Sequence, residues 1–122
     1  MHPSLEAPLG LLRARLAKRG VQLKVLETDR APERQTALYA QGRTAPGKIV
    51  THARAYESAH NWGLALDVVP VPDTPANWKL LRAEAAKLGF GLLGEWDPGH
   101  LQHPAWPTIL AAIRKRWPHL TS

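Results

Sequence analysis

Three short segments hold the residues best suited to chemistry. Asp67 stands inside Leu64-Ala-Leu-Asp-Val-Val-Pro-Val, so a carboxylate is carried into an apolar run. An unpaired buried charge costs several kcal/mol, and the chain must give it a partner. An arginine, a cluster of backbone donors or a metal ion would each serve. Just upstream, Ser58-Ala-His60-Asn-Trp62-Gly63 ends on a glycine, which lets a loop histidine turn back towards a strand carboxylate. Imidazole plus carboxylate begins a metal site, and it is equally an ordinary polar loop pair. Downstream, Glu95-Trp-Asp97-Pro-Gly-His100 sets Pro98 and Gly99 between an acid and an imidazole, so a turn and not a helical face relates them. The chain has no cysteine, which excludes disulfides, thiolate ligands and a cysteine nucleophile. Any metal must rest on His, Asp or Glu.

Two imidazoles and one carboxylate around Zn²⁺ leave a position open for water, the pattern of a catalytic site. In that arrangement His60, Asp67 and His100 would hold one ion, and Asp97 would point at the open position as general base. The two acids then have separate tasks, one holding metal and one moving protons. Glu95 competes with Asp97 for the second task. His103 and His52 are further imidazoles, read as lying outside the metal set, and His2 and His119 as solvent-exposed.

These residues need a scaffold. Pro8 to Arg19 repeats Leu9, Leu12 and Leu16 at helical spacing and stops at Gly20. Val21 to Leu26 alternates like a strand. A second helix should open near Pro32, capped by Thr28 or Asp29, and run to Gln41. From Gly42 to Asn61 no apolar period survives, which predicts a long loop of the functional kind. Leu64 to Val71 is the candidate central strand, followed by a helix over Trp78 to Leu88. Phe90 to Leu93 and Gly99 to Gln102 read as two short strands, and Pro107 to Trp117 as the last helix. Arg114, Lys115 and Arg116 close that helix, where cations offset the negative end of its dipole. The pattern predicts one α+β domain over residues 1–122, a small antiparallel sheet flanked by about four helices, with no second domain.

Composition narrows the partners. The 122 residues are 44% hydrophobic, enough for a packed core, and the net charge of +6 favours polyanions. The N-terminus lacks a basic start followed by an apolar run, so the expectation is cytoplasmic synthesis without a signal peptide. A basic nucleic-acid-binding protein or nuclease is the reading from another class, motivated by the charge and by His60-Asn61. Its basic residues are scattered, with no basic–aromatic stripe, so no nucleic-acid partner is expected. Trp62 and Trp96 flank the ligand candidates and would wall a pocket, whereas Trp78, Trp106 and Trp117 read as packing.

Ser58-x-His60-x-x-Gly63-x-Ala65-x-Asp67, followed by Asp97-x-x-His100, resembles the LAS-type zinc peptidases. These include D-alanyl-D-alanine carboxypeptidases and dipeptidases and the L-alanyl-D-glutamate endopeptidases that phages use as endolysins. The upstream run Thr28-Asp-Arg30-Ala-Pro-Glu-Arg-Gln35-x-x-Leu38-Tyr39-x-Gln-Gly42-Arg43-Thr44 also matches, so the resemblance spans about residues 25 to 103. It implies a D,D-peptidase- or hedgehog-like fold, with His60, Asp67 and His100 as zinc ligands. It also places the base three residues before the last ligand. Carboxypeptidase and dipeptidase members usually carry Glu there, and Asp97 looks like the endopeptidase branch.

Arg30 matches the family arginine and would stabilise an oxyanion during attack on a peptide carbonyl. Gln35, Ser58 and Trp62 are the expected substrate-binding residues. The implied activity is hydrolysis of the peptidoglycan stem peptide at L-alanyl-D-glutamate by a monomer, released to the wall with holin help if phage-encoded. A D-alanyl-D-alanine carboxypeptidase is the alternative on the same scaffold, and a hedgehog-like zinc module without activity is a third reading. The basic C-terminal helix would meet anionic wall or outer-membrane polymers.

Overall fold

A computed structural model describes residues 1–121. A single 3-10 turn, Pro3–Leu5, leads into α1 (Glu6–Ala17), then β1 (Gln22–Glu27) and α2 (Pro32–Ala40). After a long irregular stretch, a second 3-10 turn over Ala59–Trp62 precedes β2 (Ala65–Val71). The remaining elements are α3 (Pro75–Lys87), β3 (Gly91–Leu92), β4 (His100–Gln102), α4 (Trp106–Arg116) and a short α5 (Pro118–Thr121). The strands form one sheet in the order β1-β2-β4-β3, antiparallel at every pairing. This is the expected mixed architecture, with five α-helices among the described residues. No described helix is long and apolar enough to cross a membrane.

The sheet's two faces follow from strand alternation. Leu23 of β1, Leu66 and Val68 of β2 and Leu101 of β4 turn towards α1 and α3, packing with Leu12, Leu16, Leu81 and Ala85. Burying each such leucine contributes roughly 1.5–3 kcal/mol. Ala65, on the other face, joins Ala59, Leu64, Trp106 and Ile113, so α4 covers one end of that face. The rest of it stays open to the long irregular stretch.

Two local expectations are corrected. Neither Thr28 nor Asp29 caps α2, whose N-cap is Ala31 with no side-chain hydrogen bond. Thr28 instead offers its carbonyl to His60, and Asp29 meets the Met1 amino group at 2.8 Å. Pro32 occupies the first turn, where its missing N–H costs nothing, so the helix starts without a polar cap. The third helix begins earlier than its apolar period implies, because Thr74 accepts the Asn77 N–H and Pro75 fits the first turn.

Candidate metal and active site

A cross-strand row builds the site. The β1–β2 register sets Glu27 opposite Asp67, and the β2–β4 register sets Asp67 opposite His100. Directly opposed residues on antiparallel strands share a face, so all three side chains leave the sheet together, away from Leu66. Strict alternation along β1 would have sent Glu27 to the core face beside Val25. An irregularity between Val25 and Glu27 shifts the register, leaves Leu26 exposed and re-aims Glu27 at the site.

His100 reaches this row because Gly99 can press against β2. Gly99 O accepts the Val68 N–H at 2.9 Å, and a Cβ at Gly99 would run into Val68 O. His60 arrives from the other side. The turn Ala59–Trp62 is capped by Ser58, whose Oγ accepts the His60 N–H at 3.3 Å, and ends on Gly63 with φ of 70°. A left-handed residue there swings the chain directly into β2. The segment is stitched to residues 28–30: Arg30 N–H donates to His60 O at 2.9 Å, and Asn61 Nδ2 donates to Arg30 O at 2.9 Å. Asn61 is thereby occupied as a brace between the His60 turn and residues 28–30.

His60 Nε2 lies 3.2 Å from Asp67 Oδ1, and His100 Nδ1 lies 3.6 Å from the same oxygen. One donor atom from each of the three residues falls within 4.8 Å of the others. Four ligands at about 2.0–2.1 Å in a tetrahedron stand roughly 3.3 Å apart, so this spacing fits a small cation such as zinc. The outward ring nitrogens strengthen the fit. His60 Nδ1 faces Thr28 O at 2.7 Å, and His100 Nε2 faces Gln102 Oε1 at 2.8 Å. Each contact holds a proton on the outer nitrogen and leaves the inner lone pair for metal. Burial alone would raise the Asp67 pKa, but the adjacent imidazoles of His100 and His60, when protonated, outweigh it and hold this carboxyl well below the usual range.

Asp97 stands at the edge of the cluster, its Oδ2 3.9 Å from His100 Nδ1. Burial pushes its carboxyl above the ordinary value, the direction that makes a carboxylate a better base near neutrality. Glu95 is exposed and lies outside the groove, so it does not compete for the base position.

Arg30 is nearly buried and heavily engaged. Its Nε and Nη2 each donate to Glu27 at 2.9 Å, Nη1 donates to Gln35 Oε1 at 2.9 Å, and Nη2 also reaches Asp67 Oδ2 at 3.5 Å. All but one of its N–H donors are committed, so its first task is to hold Asp67 and Gln35 in place. Gln35 is 0% exposed, donates to Ala53 O at 2.6 Å and ties the long loop to Arg30. It braces the groove without lining it. Among the described residues no buried side-chain nitrogen or oxygen lacks a hydrogen-bond partner.

The cluster opens into a groove of about 810 Å³. Ser58, Asp97 and Trp96 line it; Trp62 does not. Trp62 turns aside, donating its indole N–H to Tyr56 O at 3.0 Å and leaning on the Tyr56 ring. Trp96 is 65% exposed and meets His52 edge to face at 6.2 Å. Trp106, read as packing, lies in the second core and on the groove wall. His103 lies off the site, its Nδ1 accepting the Ala105 N–H at 3.0 Å just before α4. Trp117, also read as packing, is 42% exposed because α4 ends before it. Sequence reasoning passed over Glu27, Gln102 and the Thr28 carbonyl. Glu27 was hidden by the bulge, and a backbone carbonyl carries no sequence signal at all.

A two-histidine, one-aspartate cluster on a four-stranded antiparallel sheet with helices packed behind it defines the LAS-type peptidase architecture. A family model described as VanY, D-alanyl-D-alanine carboxypeptidase, matches residues 1–93, and the chain belongs to that family. That span contains His60 and Asp67 and stops short of Asp97 and His100. The peptidoglycan L-alanyl-D-glutamate endopeptidase CwlK of Bacillus subtilis (strain 168) is 43% identical over 67 residues. The alignment takes in 55% of this chain and 40% of that protein, so the chain spans less than half of its curated relative. Among solved structures, the LdcB LD-carboxypeptidase superposes with a TM-score of 0.70 at 19% identity, over 95% of this chain and 64% of that one. The L,D-carboxypeptidase DacB from Streptococcus pneumoniae gives 0.62 at 23%, over 95% and 76%. At those identities the likeness is one of fold.

Proposed function

We propose that this chain is a zinc-dependent peptidase of the peptidoglycan stem peptide, cutting between L-alanine and D-glutamate and serving as an endolysin. The observation that carries the reading is the convergence of His60, Asp67 and His100 on one point, with Asp97 beside them in the same groove. The aspartate at the base position and the partial identity to an L-alanyl-D-glutamate endopeptidase support this bond over D-alanyl-D-alanine. The groove is lined from α2 on one side to α4 on the other, which suits a peptide continuing past both sides of the cleaved bond.

His60 Nε2, Asp67 Oδ1 and His100 Nδ1 would hold the metal. A zinc ion there would supply Lewis acidity, polarising a carbonyl and bringing water to a pKa of about 7. Asp97 Oδ2 accepts the proton of the attacking water and returns it to the departing glutamate nitrogen. Arg30 keeps Asp67 in register, and its one uncommitted N–H on Nη1 is the donor left for substrate. Ser58 positions His60 through its cap and faces the groove beside it. Lys115, Arg116 and Trp117 are exposed at the end of α4 and would contact anionic wall polymers, while Arg114 is paired with Glu57 at 2.8 Å.

Digestion of purified peptidoglycan, with and without a chelator, tests the reading when new termini are identified by mass spectrometry. Chelator-sensitive peptides beginning at D-glutamate are expected. Released D-alanine would move the assignment to a carboxypeptidase, and no metal-dependent product would defeat both.

A further inference from the structure

The groove wall carries three arginines, and two are spoken for. Arg30 is bound to Glu27, Gln35 and Asp67, and Arg114 is held by Glu57. Arg34, in the first turns of α2, differs. Its one ionic neighbour is Glu27, 3.9 Å from Nε, beyond hydrogen-bond distance. That carboxylate is already taken at both oxygens by Arg30, at 2.9 Å each. Among the described residues Arg34 makes no side-chain hydrogen bond, and its side chain is 62% exposed where it lines the groove. It is therefore a planar, five-donor cation presented to whatever occupies the groove, three ion-pair links from Asp67.

We propose that Arg34 selects substrate by pairing with a free carboxylate on the residue just after the cleaved bond, the α-carboxylate of a γ-linked D-glutamate. This rests on the stem-peptide reading above. In such a unit the glutamate nitrogen belongs to the cleaved amide and the α-carboxylate hangs from the adjacent carbon, so the two lie within about 5 Å of each other. Arg34 lines the same groove as the metal cluster, and its guanidinium matches a carboxylate bidentately. Amidation of the same carboxylate, giving D-isoglutamine, removes the charge and one acceptor oxygen while leaving the scissile bond intact.

The test compares two muramyl peptides, one with D-glutamate and one with D-isoglutamine, cleaved by the zinc-loaded wild type, Arg34→Gln and Arg34→Lys. A charge-assisted hydrogen bond sets the expected preference of the wild type for the free acid at roughly ten- to hundred-fold in kcat/KM. Arg34→Gln should erase that preference through KM for the acid substrate, with kcat and the amidated substrate little changed. Arg34→Lys should restore part of it. If the wild type cleaves both peptides equally, or Arg34→Gln weakens both alike, the selection role is overturned and the peptidase reading stands. If the wild type cleaves neither, the peptidase reading fails and takes this one with it.

Discussion

Leu66 and Asp67 are adjacent on β2, and they face environments built by different rules. Leu66 is fully buried against α1 and α3, where any aliphatic side chain of suitable volume would keep most of the packing. Asp67 faces a set of polar atoms whose positions are each specified: His60, His100 and Arg30 all point at its two oxygens. The first face tolerates repacking because dispersion and burial are non-directional. The second does not, because a half-buried carboxylate is stable only with every partner in place. One strand thus carries stability on one side and chemistry on the other.

Two substitutions separate these contributions most sharply. His60→Ala should bring zinc content measured by elemental analysis close to zero and activity to the level of chelator-treated enzyme, with the fold retained by circular dichroism. Leu66→Ala should do the reverse. A cost of about 2–5 kcal/mol in urea unfolding is expected, with the surviving folded protein still binding zinc. If Leu66→Ala lost metal without losing stability, the division between the faces would be wrong.

The next effect concerns Asp97, which sits on the polar side outside the metal set. Asp97→Ala should keep zinc and lower kcat by roughly 10²–10⁴-fold, the usual contribution of a positioned base. Full activity in that variant would return the base role to another group. The smallest effect tests how far the specified polar shell extends. Gln102→Ala removes the acceptor behind His100 and should weaken zinc binding by about 10–100-fold in a competition titration. Unchanged affinity would place the boundary of the site at the three ligands themselves.

Much of this site was legible before folding. Histidine, aspartate and glycine have few reasons to recur as Ser58-x-His60-x-x-Gly63-x-x-x-Asp67 with Asp97-x-x-His100 downstream. The helices and strands were legible too, since apolar period marks α1 and β2 directly. Trp62 shows the limit. It lies two residues from His60, closer in sequence than Trp96 lies to His100, yet Trp62 rotates onto Tyr56 and Trp96 faces the groove. Proximity in sequence does not set side-chain direction in an irregular segment.

Arg30 shows the same limit in another form. Its chemical type suited an oxyanion donor, and only the arrival of Glu27, Gln35 and Asp67 around it revealed how few of its donors remain. By itself, the sequence determined which side chains were available for chemistry, which segments would be helix or strand, and where glycine permits tight turns. These depend on local steric preference and on solvent exclusion along short windows. The tertiary structure decided the row Glu27–Asp67–His100, which ring nitrogen each histidine turns inward, and which arginine in the groove keeps its donors uncommitted. Those outcomes depend on strand register and on a bulge, set by pairing between residues far apart in the chain.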